Sequence, residues 1–160
     1  MQRVTIICVG KLKEKFYLDA VGEYAKRLRR HCTLEIIELP EQRLPEDPSA
    51  GEIEAALQKE AAAIREKLVP GGALIAMCIE GRLLSSTELA RKLMDFGLQG
   101  RSRLTFLIGG SVGLHSSLKA QADLKLSMSP MTFPHHLARV MLLEQIYRGY
   151  QIQEGSHYHK

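Results

Sequence analysis

Leu104-Thr-Phe-Leu-Ile108, Gly109-Gly-Ser-Val-Gly113, Leu124-Lys-Leu-Ser-Met-Ser129 and Pro130-Met-Thr-Phe-Pro134 follow one another within about thirty residues. The first is wholly apolar and short, which reads as a buried strand. The glycines after it let the chain turn sharply and let a ligand come close to main-chain N–H groups. A brief helical segment leads to a second strand over 124–129. The proline loop then opens a long amphipathic pattern at His135. Strand, glycine turn, helix, strand, proline loop, helix is the signature of parallel strands joined by crossovers. Two loops at the carboxyl ends of such strands can wall one small-molecule cleft, and the chemistry is expected there.

Upstream of this stretch the same alternation holds. Val4–Val9 is a strand rich in β-branched residues. Phe16, Ala20, Tyr24 and Leu28, with Tyr17 and Val21 beside them, recur at helical spacing and predict an inner face. The cluster Lys26-Arg-Leu-Arg-Arg30 suits the carboxyl end of that helix. Thr33–Leu39 reads as a strand, and Pro40, Pro45 and Pro48 mark an extended loop. A second helix is expected over 51–69, with Ile53, Ala56, Leu57, Ala61, Ile64 and Leu68 facing inward. Ala73–Ile79 is a third apolar strand, expected to close at Glu80-Gly81. Ser85 and Glu88 predict a capping box for a helix reaching Phe96. The last helix carries Leu137, Val140, Met141, Leu143, Ile146, Tyr147 and Tyr150. Those positions cover more than one stripe, which predicts packing on both the sheet and a second subunit. The whole reads as one α/β domain over residues 1–160, a largely parallel sheet flanked by helices.

Composition narrows the partners. The chain has 160 residues, 45% of them apolar and 25% charged, as in ordinary soluble proteins. No apolar run is long enough to span a bilayer, and the first residues lack a signal-peptide layout, so no membrane association and a cytoplasmic location are expected. Cys8, Cys32 and Cys78 form no CxxC pair, and Cys8 and Cys78 are expected as buried, reduced thiols rather than metal ligands. The net charge of +4 comes entirely from residues 101–160, which also hold five of the six histidines. A basic face beside the expected cleft suits an anionic partner such as RNA, as it also suits a plain solvated surface.

Several chemistries are excluded by spacing. Gly10-Lys11 lacks the rest of a phosphate loop, and Gly109-Gly110-x-x-Gly113 is neither spaced nor placed as a dinucleotide fingerprint. No HExxH, GxSxG or kinase signature is present.

Ile108-Gly-Gly-Ser-Val-Gly-Leu-His115, Leu126-Ser-Met-Ser-Pro-Met-Thr-Phe-Pro-His135, Arg139-Val140 and Glu144-Gln-Ile-Tyr-Arg148 closely resemble the RlmH-type ribosomal RNA methyltransferases. Val9-Gly-Lys-Leu-Lys-Glu-Lys15 and His157-Tyr-His-Lys160 match as well, so the resemblance spans the chain. It implies a SPOUT-type fold with a carboxyl-terminal trefoil knot, a rare exception to unknotted folding. It implies an enzyme that methylates N3 of a pseudouridine in 23S rRNA with S-adenosyl-L-methionine. It also implies a homodimer, and action on the assembled ribosome without a metal.

By the same resemblance, cofactor contacts fall at Met77, at Gly109, and at Met128, Ser129, Pro130, Met131, Thr132 and Phe133. Met77-Cys78 departs from the family's usual leucine followed by an acidic residue. Gly109 is expected to spare the ligand a crowding Cβ. The acceptor nitrogen must lose a proton, for which a cation and a base are useful. Arg139, His157, Tyr158 and His159 are the catalytic candidates, while His135 and His136 read from the residues alone as solvated first-turn positions. Two rivals stand beside this reading: a non-catalytic knotted RNA-binding ribosome assembly factor, and a flavodoxin-like nucleotide-binding regulatory domain.

Overall fold

A computed structural model describes residues 1–160. Five strands, β1 (Gln2–Val9), β2 (Cys32–Leu39), β3 (Ala73–Leu83), β4 (Arg103–Ile108) and β5 (Leu124–Ser127), form one sheet in the order β2-β1-β4-β3-β5. Every pairing is parallel. The helices are α1 (Lys15–Leu28), α2 (Ala50–Arg65), α3 (Ser86–Leu98), α4 (Ser116–Gln121) and α5 (His135–Gln153).

Alternation along the strands divides the core in two. Val4, Ile6, Cys8, Ile75, Leu104, Phe106 and Ile108 pack with Leu28 of α1, Leu93 and Phe96 of α3, and Leu142, Leu143 and Ile146 of α5. Ile7, Val9, Leu74, Ala76 and Leu107 point the other way, onto Ala61 and Ile64 of α2 and Leu118 of α4. A sheet covered on both faces explains why its central strands read as apolar runs. Each Val, Leu, Ile or Phe among them, fully buried, stabilises by about 1.5–3 kcal/mol.

The helix ends differ from expectation in instructive ways. The full capping box belongs to α2, where the Ser49 hydroxyl accepts from the Glu52 N–H and the Glu52 carboxylate from the Ser49 N–H. At α3 only half the box forms, Ser85 accepting from the Glu88 N–H. Phe16, expected on the inner face of α1, is 66% exposed and belongs to neither core cluster, whereas Val21, Tyr24 and Leu28 further along the helix reach the core.

Two departures shape the carboxyl edge. β3 does not close at Gly81 but runs to Leu83, and its register against β5 jumps so that Met77 and Arg82 both face Leu126. Residues 78–81 therefore leave the ladder as an excursion, which leaves Cys78 half-buried rather than buried. A Cβ on Gly81 would lie 2.7 Å from the Lys125 carbonyl carbon, so only glycine lets β5 pass there.

Candidate functional site

Three loops meet beyond the carboxyl ends of β3, β4 and β5 and enclose a cleft of about 760 Å³, a size suited to a cofactor. Its lining includes Met77 to Glu80, Ile108 to Leu114, Met128, Ser129, and Met131 to His135. Seven of the eight residues expected to contact a cofactor lie in it: Met77, Gly109, Met128, Ser129, Met131, Thr132 and Phe133. Pro130 is outside the lining and exposed.

The first wall is the excursion after Met77. The Lys119 ammonium of α4 donates to the Glu80 carboxylate at 2.6 Å and ties the excursion down. Burial, helped by Glu80, pushes the Cys78 thiol up, so it presents a neutral, soft surface.

The second wall is the glycine turn. The Gly113 N–H donates to the Gly110 carbonyl at 3.1 Å, and Gly113 adopts φ +82°, a left-handed conformation that favours glycine. A Cβ on Gly109 would lie 2.4 Å from the Gly113 carbonyl carbon and oxygen. Closure of the turn on itself, rather than clearance for a ligand, is therefore what requires glycine at 109. Glu41 fastens the turn from outside, its Oε1 accepting from the Ser111 N–H and hydroxyl, each at 2.8 Å. Burial alone would raise this carboxyl; the two Ser111 bonds and the histidines nearby hold it below the usual range.

The third wall, Met128–Phe133, has almost no hydrogen bonding of its own. The Ser127 hydroxyl donates to the Ser129 carbonyl, and the Met131 N–H donates to the Ser129 hydroxyl oxygen. None of the backbone–backbone hydrogen bonds of turns and loops falls on these residues. Apart from the Ser129 carbonyl and the Met131 N–H, their main-chain donors and acceptors are left to solvent or to a ligand. Apolar side chains and free main-chain groups suit a ligand with a flat apolar ring and polar edges.

His135 stands on the cleft's rim. Burial, and then His136 and Arg139, lower its pKa against a weaker opposite pull from Glu41 and Glu14, so the imidazole is held neutral. The ring also borders a second, polar hollow of about 750 Å³ lined by Lys11, Lys13, Glu14, Glu38, Glu41 and His136.

The catalytic candidates are not brought together with the cofactor loops in one chain. Arg139 is 2% exposed and turned away from the cleft lining. Its Nη1 donates to Glu38 Oε2 at 2.7 Å and its Nη2 to the Gly10 carbonyl at 3.2 Å, while Nε is buried without a partner. Burial would raise the Glu38 carboxyl, but Arg139 and the Leu12 N–H together hold it below the usual range. The tail lies along the far part of α5. Tyr158 donates to Glu144 at 3.2 Å, and His159 Nδ1 sits 3.1 Å from Arg148 Nη1. Glu144 and Arg148 are about 13–20 Å along the helix axis from His135 at 1.5 Å per residue. His157 is exposed.

Sequence reasoning missed Glu38 and Glu41. The available signal was weak: acidic residues at the end of an otherwise apolar strand and just past it.

The family model described as "Predicted SPOUT methyltransferase" matches residues 2–159. Proteins named ribosomal RNA large subunit methyltransferase H from Acetivibrio thermocellus, Alkaliphilus oremlandii and Streptococcus uberis are 46%, 48% and 47% identical to this chain. Each match covers 98–99% of this chain and 99% of the relative. Among solved structures, a probable methylase family protein from Haemophilus influenzae Rd KW20 aligns with a TM-score of 0.52 at 13% identity. That match covers 99% of this chain and 70% of that one, and bears on the fold alone.

Proposed function

The chain belongs to the SPOUT methyltransferase family, and we propose that it moves a methyl group from S-adenosylmethionine to N3 of a pseudouridine in 23S rRNA. The observation that carries this reading is the convergence of the Met77, Gly109 and Met128–Phe133 loops on one cleft at the carboxyl edge of a parallel sheet. Its apolar walls and unpaired main-chain groups fit an adenosine with a methionine tail. The bound sulfonium supplies an already activated methyl group, so the protein's work is to bind, orient and exclude water.

Met77, Gly109 and Met128 to Phe133 hold the cofactor in this reading, with Pro130 shaping the loop from outside the lining. The acceptor side is assigned to Arg139 and to His157, Tyr158 and His159. Arg139, bound to Glu38 and Gly10, sets the position of α5 and hence of His135 at the rim. The tail reaches a cleft in a homodimer, where it meets the partner's rather than its own. Two features support that arrangement: the tail's distance along α5, and a groove lined by Tyr24, Leu84, Met128, Val140, Met141 and Glu144 that adjoins the cleft. Residues 1–160 act as one catalytic unit. The reading includes the trefoil knot, supported by a path in which the chain leaves β5 at one sheet edge and returns to place Arg139 against Gly10.

An excess of +4 neutralises few phosphates, so affinity for naked RNA is expected to be weak and the assembled ribosome to be the substrate. The test has two parts. Calorimetry should show S-adenosylmethionine binding in the full chain and in a chain lacking residues 156–160. Mass spectrometry of rRNA extracted from assembled ribosomes incubated with each should show the methyl group only with the full chain. Full transfer by the truncated chain would remove the tail from the reaction, and no cofactor binding by either would refute the reading as a whole.

A further inference from the structure

Four aromatic rings form an unbroken row from solvent to the rim of the cleft. Phe16, two-thirds exposed at the start of α1, lies 4.3 Å from Tyr17 between ring centroids. Tyr17 meets His136 at 6.1 Å, and His136 meets His135 at 4.2 Å, while His135 lines both the cleft and the polar hollow beside it.

The charges around the row are sorted. Of the hollow's carboxylates, Glu38 is engaged by Arg139, Glu41 by Ser111, and Glu14 lies 3.7 Å from His136. Lys11 and Lys13 line the same hollow and take part in none of the nine ion pairs of the structure. Lys15, by contrast, is held by Asp19 at 2.7 Å. Glu38 and Glu41 are thus committed to partners within the fold, while Lys11 and Lys13 are left over beside the histidine rings, on the approach to the cleft. Rings with flanking cations are what an unpaired RNA strand requires, since every base has a stackable face and every linkage a negative charge.

We propose that the row Phe16, Tyr17, His136 and His135, with Lys11 and Lys13, is a stacking track for the unpaired bases next to the target nucleotide, leading that nucleotide to the cleft. The assignment rests on the reading that the cleft methylates RNA. The track supplies the local guidance that a bulk charge of +4 does not.

Phe16 touches no core cluster, so its variants leave the fold in place. Phe16→Leu, which keeps an apolar side chain and removes the ring, is expected to lower kcat/KM on assembled ribosomes about tenfold through KM. Cofactor affinity by calorimetry should stay at the wild-type value, and Phe16→Trp should retain activity. Lys11→Gln with Lys13→Gln should weaken substrate binding and reduce its dependence on salt. Separately, titrating the wild-type protein with hexaadenylate RNA should shift the Phe16 and Tyr17 ring signals in NMR spectra, and poly-glutamate should not. An unchanged KM in Phe16→Leu would overturn the track. So would a Phe16→Leu protein that light scattering shows to be monomeric while the wild type is a dimer, since Phe16 would then belong to the subunit interface. Should the wild-type protein transfer no methyl group to ribosomes, the functional reading fails, and the ring shifts alone decide the track.

Discussion

The carboxyl edge of the sheet has two unlike halves. On the β1–β2–β4 side, charged hydrogen bonds fix the chain: Arg139 to Glu38 and Gly10, Leu12 to Glu38, Ser111 to Glu41. On the β3–β5 side the ladder is broken, the Met128–Phe133 loop bonds little, and Ile79, Leu83 and Met131 are exposed. The first half is finished within one chain. The second offers apolar surface and free main-chain groups, which a ligand and a neighbouring subunit can cover. The difference teaches that the site is built asymmetrically, with a rigid floor under the turn and an adaptable wall opposite.

The largest expected effect comes from breaking the rigid half at its tightest point. Gly109→Ala forces a Cβ onto the Gly113 backbone, and should cost about 3 kcal/mol by denaturant unfolding. Cofactor binding should be lost with it, and an Ala variant of wild-type stability would show that the turn has room. Next is Glu38→Ala, which leaves the Arg139 guanidinium buried without its carboxylate. Since Glu38 is itself one-third exposed, a loss of about 2 kcal/mol is expected, below the range for fully buried pairs.

A smaller effect follows from pH. The Glu38 and Glu41 carboxyls sit below their ordinary range in the folded state, so the stability they contribute is fully present above the unfolded value near 4.5. It is lost as pH falls through the lower folded values. Hydrogen exchange on acidification should therefore show the glycine turn and the start of α5 opening, along with the excursion at residues 78–81, whose Glu80 carboxyl is likewise lowered by Lys119. The Met128–Phe133 loop has no carboxyl and should not respond, and its equal loosening would erase the contrast. The smallest change in stability is expected from Ile79→Ser on the adaptable wall, within about 0.5 kcal/mol because the side chain is exposed. Its effect should appear instead as weaker cofactor binding by calorimetry.

Much of this was legible in the chain because periodicity encodes it. The apolar runs at Val4–Val9 and Leu104–Ile108 are central strands, and the alternation of strands with helical patterns gives the parallel sheet. The motif resemblance led to the loops that line the cleft. What stayed hidden depends on long-range contacts. Nothing local distinguishes Glu38 as the partner of a residue 101 positions away, or Glu41 as a clasp on Ser111. Nor does local pattern tell the exposed Phe16 from the inner positions that follow it on α1. The excursion at residues 78–81 looks like a strand end, because the signal that β3 resumes is only its pairing with β5.

The strand order also has a consequence for how the molecule comes into being. β1 emerges first but can pair only with β2 until β4 is made, since Arg3 lies opposite Arg103. β3 waits on that same strand for one neighbour and on β5 for the other. Arg139 then closes onto Gly10, joining the last helix to the loop after the first strand across 129 positions. Contacts of such separation make folding slow, because loop-closure entropy must be met before the contacts form. During synthesis the chain is therefore, for most of its length, a single parallel pair of β1 and β2 joined by the α1 crossover, with apolar edges at β1 and β3 unpaired. The sheet becomes whole only when its final third has left the ribosome.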